Sequence, residues 1–173
     1  MTQVYVDATT AIALGTIGEL DLLSVIDGQL VILPPIQREV TTEPASTNVD
    51  RLLDTETVEA TPSVELETDQ ARALLGSSEL TGDVALVGAV LAHTAADHGV
   101  AVISDDRRVR TTARGLGATV TGTVGILVRA VEKGLSAEEA KAILDRLDDH
   151  GLHMTAELRA TAGDLIAAAA SDV

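Results

Sequence analysis

Three short apolar runs, each broken off abruptly and followed by a helical stretch, constrain the fold more than any other feature. Val4-Tyr5-Val6 stops at Asp7, Leu30-Val31-Ile32-Leu33 stops at Pro34-Pro35, and Val100-Ala101-Val102-Ile103 stops at Ser104-Asp105-Asp106. β-Branched runs of this length, bounded by turn signals, read as buried strands. Thr57 to Thr61 and Thr119-Val120 are weaker strand candidates. Strands alternating with helices predict an α/β fold around a mainly parallel sheet.

The helical stretches carry their own punctuation. Ala8 to Leu14 and Glu19 to Val25 read as short helices separated by Gly15 and Gly18. Pro34-Pro35 opens another, since proline is tolerated in a first helical turn. Asn48 to Leu53 predicts a further helix, and Thr68 reads as the N-cap of one ending near Leu75. Val84 to Ala92 is uninterruptedly apolar or Gly, which implies a helix packed on nearly all sides, with Thr81 as its cap and Asp83 as the one charge in its first turn. The C-terminal third reads as helices over Thr123 to Glu132, Ala137 to Asp149 and Ala156 to about Ala169, with a capping box at Ser136-Ala137-Glu138-Glu139. Ala140, Ile143, Leu144 and Leu147 predict one apolar face there, and Leu158, Leu165, Ile166 and Ala169 another.

With 173 residues the chain reads as a single domain with enough length to bury a core. That core is built from Val, Leu, Ile and Ala, because Phe and Trp are absent and Tyr5 is the only aromatic of the three types. The net charge is −15, from 27 acidic and 12 basic residues, and only Lys133 and Lys141 among the basics are lysines. A surface so acidic and so poor in Lys suggests a high-salt cytoplasm, where hydrated carboxylates keep proteins in solution; an acidic partner-binding surface is the alternative. The absence of Cys excludes disulfides, thiol nucleophiles and Cys-based zinc sites. His93, His98, His150 and His153 have no zinc-type spacing and read as structural. Neither a signal segment nor a long apolar span is visible, so a soluble, cytoplasmic protein without membrane contact is expected.

Asp7 and Asp106 follow strands in equivalent ways, and in open α/β sheets ligands sit beyond the carboxyl ends of the strands. Asp83 heads a helix that must pack close to the sheet, and Glu39 lies one turn beyond the second strand. All four are able to converge on one sheet edge. Like charges so close repel one another, and burial raises their pKa values; a divalent cation relieves both effects. Mg²⁺ or Mn²⁺ prefers oxygen ligands, and such a site activates water against a phosphodiester. The plainer role of Asp7, Asp83 and Asp106 is helix capping or dipole pairing, and that of Glu39 is a solvated helix position.

These residues also carry a resemblance. Val4-Tyr5-Val6-Asp7-Ala8-Thr9, Glu39 within Pro34-Pro35-Ile36-Gln37-Arg38-Glu39-Val40, Asp83 at the head of an Ala-rich helix, and Asp106 two residues after Ser104 are similar, in order and spacing, to the motifs of PIN-domain proteins. The resemblance extends over residues 3 to 130, and Thr121-Gly122-Thr123-Val124-Gly125 is similar to a predicted nucleic-acid-binding branch of the family. It implies a three-layer α/β/α sandwich with a helical C-terminal extension over about 131–173, and a metal-dependent endoribonuclease using Mg²⁺ or Mn²⁺. Asp7, Asp83 and Asp106 are then the metal-site carboxylates, and Glu39 a ligand or the group that orients the attacking water. A toxin of the VapC kind, with an antitoxin partner and a homodimer, is a further implication; the long tail departs from a minimal toxin.

Thr9, Ser104 and Asp105 are candidates for supporting the carboxylates or for local capping. Arg107, Arg110 and Arg114 share one helix face, on which RNA phosphates could lie; surface ion pairs are the alternative. Two other functions compete. One is an RNA- or protein-binding module of the same fold with little or no cleavage. The other is a phosphatase forming phospho-Asp at Asp7, disfavoured because Thr9 stands where such enzymes place a second Asp.

Overall fold

A computed structural model describes residues 1–171. Five strands form one all-parallel sheet: β1 (Gln3–Val6), β2 (Gln29–Val31), β3 (Val58–Glu59), β4 (Val100–Ile103) and β5 (Thr119–Thr121), in the order β3-β2-β1-β4-β5. Each apolar run contributes a strand to this sheet, although β2 ends at Val31 and leaves Ile32 and Leu33 to lead into the next helix; Val4, Tyr5, Val6, Val31, Val102 and Ile103 are fully buried. Parallel strands covered on both faces need continuous hydrophobic runs rather than alternation.

Helices α1 (Ala8–Ile17), α2 (Pro34–Glu39), α3 (Ala45–Leu53), α4 (Thr68–Leu75), α5 (Gly82–Ala95), α6 (Arg107–Gly115), α7 (Thr123–Glu132), α8 (Ala137–Asp149) and α9 (Ala156–Ser171), with a 3₁₀ helix over Leu20–Val25 where a helix from Glu19 was expected, complete the order. Helices α4, α5 and α6 pack together on one side; α1, α3, α7, α8 and α9 pack together on the other, and α2 touches both α1 and α5. The result is the expected three-layer sandwich. Helices α8 and α9 feed Ala140, Leu144, Leu147, Ala162 and Ile166 into the same hydrophobic core as the sheet.

Several local expectations shift. Gly15 does not interrupt α1, which runs on to Ile17 and ends at Gly18, a residue in the left-handed conformation (φ 74°). Gly15 instead marks where α3 comes close: a Cβ there would stand 3.1 Å from the Ala45 Cα, and Asn48 Nδ2 donates to the Gly15 carbonyl at 2.8 Å. Thr68 is the first residue of α4 rather than its cap, and Glu67 holds the cap position without a side-chain bond. Thr81 caps α5 as expected, its Oγ1 accepting from Val84 N, and the Ser136–Glu139 capping box is formed. On α9 only Ala162, Ile166 and Ala169 are buried; Leu158 and Leu165 are 46% and 47% exposed. The tight α9–α7 and α9–α8 packing takes small residues and Ile166, and the turn of the helix leaves both leucines outside it.

At the other end of the strands, Tyr5 and His93 form a buried polar pair with Gln3. Tyr5 Oη donates to Gln3 Oε1 at 2.7 Å and lies 2.9 Å from His93 Nε2. Burial raises the Tyr5 phenol and, with help from His98, lowers the His93 imidazole. His93 is thus structural, as expected.

Candidate functional site

The strand order reverses direction between β1 and β4. From β1 the chain moves outward to β2 and β3, and on the other side from β4 to β5. Such a switch point opens a crevice at the carboxyl ends of the two central strands. Asp7 directly follows β1 there, and Ser104-Asp105-Asp106 directly follows β4.

Asp7 is 2% exposed and held from three sides. Its Oδ1 accepts from Ala8 N at 2.8 Å, capping α1, while Oδ2 accepts from Thr9 Oγ1 at 2.9 Å and Ser104 Oγ at 2.6 Å. The fully buried Ser104 hydroxyl also accepts from Asp106 N at 3.1 Å, so a single hydroxyl joins the ends of both central strands. Asp106 caps α6, its Oδ1 accepting from Arg108 N at 2.8 Å and Val109 N at 2.9 Å. Asp7 and Asp106 are therefore both helix caps, with one oxygen of each serving the helix.

Glu39 ends α2 and reaches across to α5, where its Oε1 accepts from Gly82 N at 2.6 Å. A Cβ on residue 82 would stand 2.9 Å from both Glu39 carboxylate oxygens, so any side chain there displaces the carboxylate. Asp83 follows, half-buried in the first turn of α5. Desolvation, and after it the charges of Asp7, Asp106 and Glu39, push its carboxyl up from 3.8 to about 6; Arg108 partly offsets them. The four acids named from the sequence thus share one electrostatic neighbourhood. They do not close into a cage, however: among the described residues no three His, Asp or Glu side chains come near enough together to hold an ion. The capping bonds of Asp7 and Asp106 and the Glu39–Gly82 bond hold these carboxylates to backbone N–H groups.

A family model described as a PIN domain matches residues 3–167. The chain belongs to the PIN-domain family. The match takes in α8 and most of α9, so the helices beyond residue 130 lie within the family's span. No curated protein matches the chain. The fold is that of a nuclease-like family, and no helix is long and apolar enough to cross a membrane among the described residues.

Around the acidic edge of this PIN domain, the remaining candidates divide. Thr9 and Ser104 bind Asp7 directly. Asp105 points elsewhere: its Oδ1 accepts from Thr123 N at 2.9 Å, and its Oδ2 accepts from Thr10 Oγ1 at 3.2 Å and from Thr123 Oγ1. It thereby supplies the cap that Gly122, lacking a side chain, cannot give α7. Asp105 is thus engaged with α1 and α7, whereas Asp106 is engaged with the first turn of α6. Arg107, Arg110 and Arg114 line one groove together, and Arg110 Nη1 donates to the Ser104 carbonyl at 3.1 Å.

Three groups escaped the sequence reading. Arg108 turns off the shared arginine face, donates to the Leu75 carbonyl at the end of α4, and is the cation acting on Asp83. Gly82 was legible only as the residue before Asp83, because its partner lies 43 positions away. His150 and His153, read as structural, are exposed in a groove beside Thr9, Asp106 and Arg107. No spacing rule could have placed them there, since the turn after α8 brings them across the sheet edge.

Proposed function

We propose that this PIN-domain protein is a divalent-metal-dependent endoribonuclease acting at the β1–β4 edge. The observation that carries the reading is the crowding of Asp83 by Asp7, Asp106 and Glu39 in a half-buried crevice, which leaves an acid raised to about 6. An all-oxygen set of carboxylates with one nearby guanidinium has the chemistry of a site for a hard cation. Asp7, Asp83 and Asp106 would hold Mg²⁺ or Mn²⁺, with Glu39 beside them.

When bound, such an ion supplies activation of water and neutralises charge on the phosphodiester. The protein's own contribution is positional. Ser104 and Thr9 fix Asp7 through hydrogen bonds to Oδ2, and Ser104 sets the backbone of Asp106. Gly82 N holds Glu39 through Oε1, and Oε2 would orient the attacking water or join the ion. Arg107 and Arg114 present cations to the flanking phosphates.

A second reading is supported by the open arrangement of the acids: a PIN-type module that binds RNA or protein and cuts little. A toxin with an antitoxin partner is a narrower form of the first reading. Leu74 and Leu80, exposed on α4 and the turn after it, offer apolar surface for a homodimer. The high-salt cytoplasm inferred from the −15 charge belongs with these narrower proposals.

Incubation of wild type and Asp7→Asn with mixed cellular RNA, in high salt with Mn²⁺ or EDTA, separates the readings. Cleavage by wild type alone, abolished by EDTA, is expected. Absence of both cleavage and calorimetric Mn²⁺ binding would reject the enzyme and leave the binding module.

A further inference from the structure

We propose that the groove between α1, the start of α6 and the α8–α9 connection is a nucleobase subsite for single-stranded RNA, with His150 and His153 as its stacking rings. The proposal rests on the RNA reading above and extends it to how the strand is held.

The groove encloses about 450 Å³, and Thr9, Ile12, Asp106, Arg107, His150 and His153 are among its walls. Its volume lies in the range of small-molecule sites. Because Thr9 and Asp106 also belong to the acidic edge, a strand whose phosphate sits at that edge runs directly into the groove. Beyond Arg107 and His153 it continues into a second hollow of about 650 Å³, walled by Arg110, Arg114, Leu158 and Leu165. The exposed leucines of α9 are thus not isolated; they flank a basic wall.

Rings are scarce in this protein, and their placement is informative. Phe and Trp are absent, and Tyr5 is fully buried. His93 is buried beside Tyr5, and His98 precedes β4 at the opposite end of the sheet. Among the described residues, only His150 and His153 present rings near the acidic edge. Unpaired bases are commonly held by stacking on aromatic rings, His included, and on Arg planes; Arg107 stands in the same groove.

The connection that carries the two rings is already shaped. Leu152 N donates to the Leu147 carbonyl at 2.9 Å, and Met154 N donates to Asp148 Oδ1 at 3.2 Å. Arg159 of α9 pairs with both Asp145 and Asp148 of α8, tying the two helices across the turn. Little ordering is then required on binding, which favours affinity.

Charge selects the occupant. Among the described residues, Arg107, Arg110 and Arg114 form no ion pair, although the chain carries 27 acids. The larger hollow sets these three cations against Asp105, so a polyanion repelled by most of this surface is attracted there. A phosphate-bearing strand with bases to stack fits both the cationic wall and the rings.

The test is fluorescence anisotropy in EDTA, which blocks metal-dependent cleavage, with a short labelled single-stranded RNA and an abasic ribose-phosphate strand of equal length. Wild type, His150→Ala/His153→Ala and His150→Phe/His153→Phe are compared, with folding checked by circular dichroism. Wild type is expected to favour the RNA. The Ala pair should weaken RNA binding roughly 5- to 150-fold per stacked base lost and leave the abasic strand unchanged, and the Phe pair should restore RNA binding. Equal RNA affinity for wild type and the Ala pair, or an equal loss on both strands, would overturn the subsite. Equal binding of both strands by wild type would also overturn it, assigning the groove to another occupant such as a protein partner. These outcomes leave Mn²⁺-dependent cleavage intact, whereas wild type binding neither strand and cutting no RNA would remove the nuclease reading as well.

Discussion

Replacing Asp83 by Asn should stabilise the metal-free protein at neutral pH and have no such effect in acid. Burial and the charges of Asp7, Asp106 and Glu39 raise the Asp83 carboxyl from 3.8 to about 6. The folded state therefore binds a proton more tightly than the unfolded chain does. Stability from this group is fully present below pH 3.8, where Asp83 is protonated in both states, and is lost as pH rises through about 6. Above that value the ionised side chain costs less than about 3 kcal/mol, the free-energy equivalent of the full pKa change, because solvent screens this half-buried group. Asn resembles the protonated acid in shape and carries no charge. Urea unfolding in EDTA at pH 7.5 should place the variant above wild type by less than about 3 kcal/mol, the two converging near pH 4. Saturating Mn²⁺ should close the gap from the other side: free ion at about a hundredfold over its dissociation constant adds about 2.7 kcal/mol to wild type. A variant no more stable than wild type at pH 7.5, or one whose advantage persists unchanged in acid, would refute the crowded-acid account.

Gly82→Ala places a methyl 2.9 Å from the Glu39 oxygens; Glu39 should swing away, with a loss of about 1.5–3 kcal/mol for its charged hydrogen bond, seen in urea unfolding and accompanied by reduced cleavage. Ser104→Ala removes the hydroxyl shared by Asp7 and Asp106 N and should cost about 1.5–3 kcal/mol in the same assay, whereas Ser104→Thr, if its methyl is accommodated, should recover part of it. Arg107→Ala/Arg114→Ala should flatten the slope of log affinity for single-stranded RNA against log salt by about 1.4, the value for two lost phosphate contacts; an unchanged slope would remove these residues from the RNA path.

Local chemistry made much of this protein legible from its sequence. Buried parallel strands demand unbroken apolar runs, so Val4–Val6 and Val100–Ile103 could be read as strands, and Asp7 and Asp106 as the residues at their carboxyl ends. Thr81 and Ser136 announced helix starts because capping depends on neighbours three residues away. The family's order of acids placed Asp7, Glu39, Asp83 and Asp106 at one edge, and Asp83 does feel the other three. What the sequence withheld depends on distant partners. Gly15 looked like a break and is a helix contact, because Ala45 and Asn48 arrive from α3. Leu158 and Leu165 read as sharing one apolar face with Ile166 and Ala169, yet Ala162 and Ile166 occupy the interface, since the packing of α9 on α7 and α8 selects which side of its apolar surface is covered. Asp105 and Asp106 are chemically identical neighbours. Only the arrival of Thr10 and Thr123 turns the first toward α1 and α7, while the second caps its own helix, α6. Backbone patterns and caps are determined over a few residues, whereas the direction a carboxylate or an imidazole faces is decided by which segments the closed sheet and its crossing helices bring beside it.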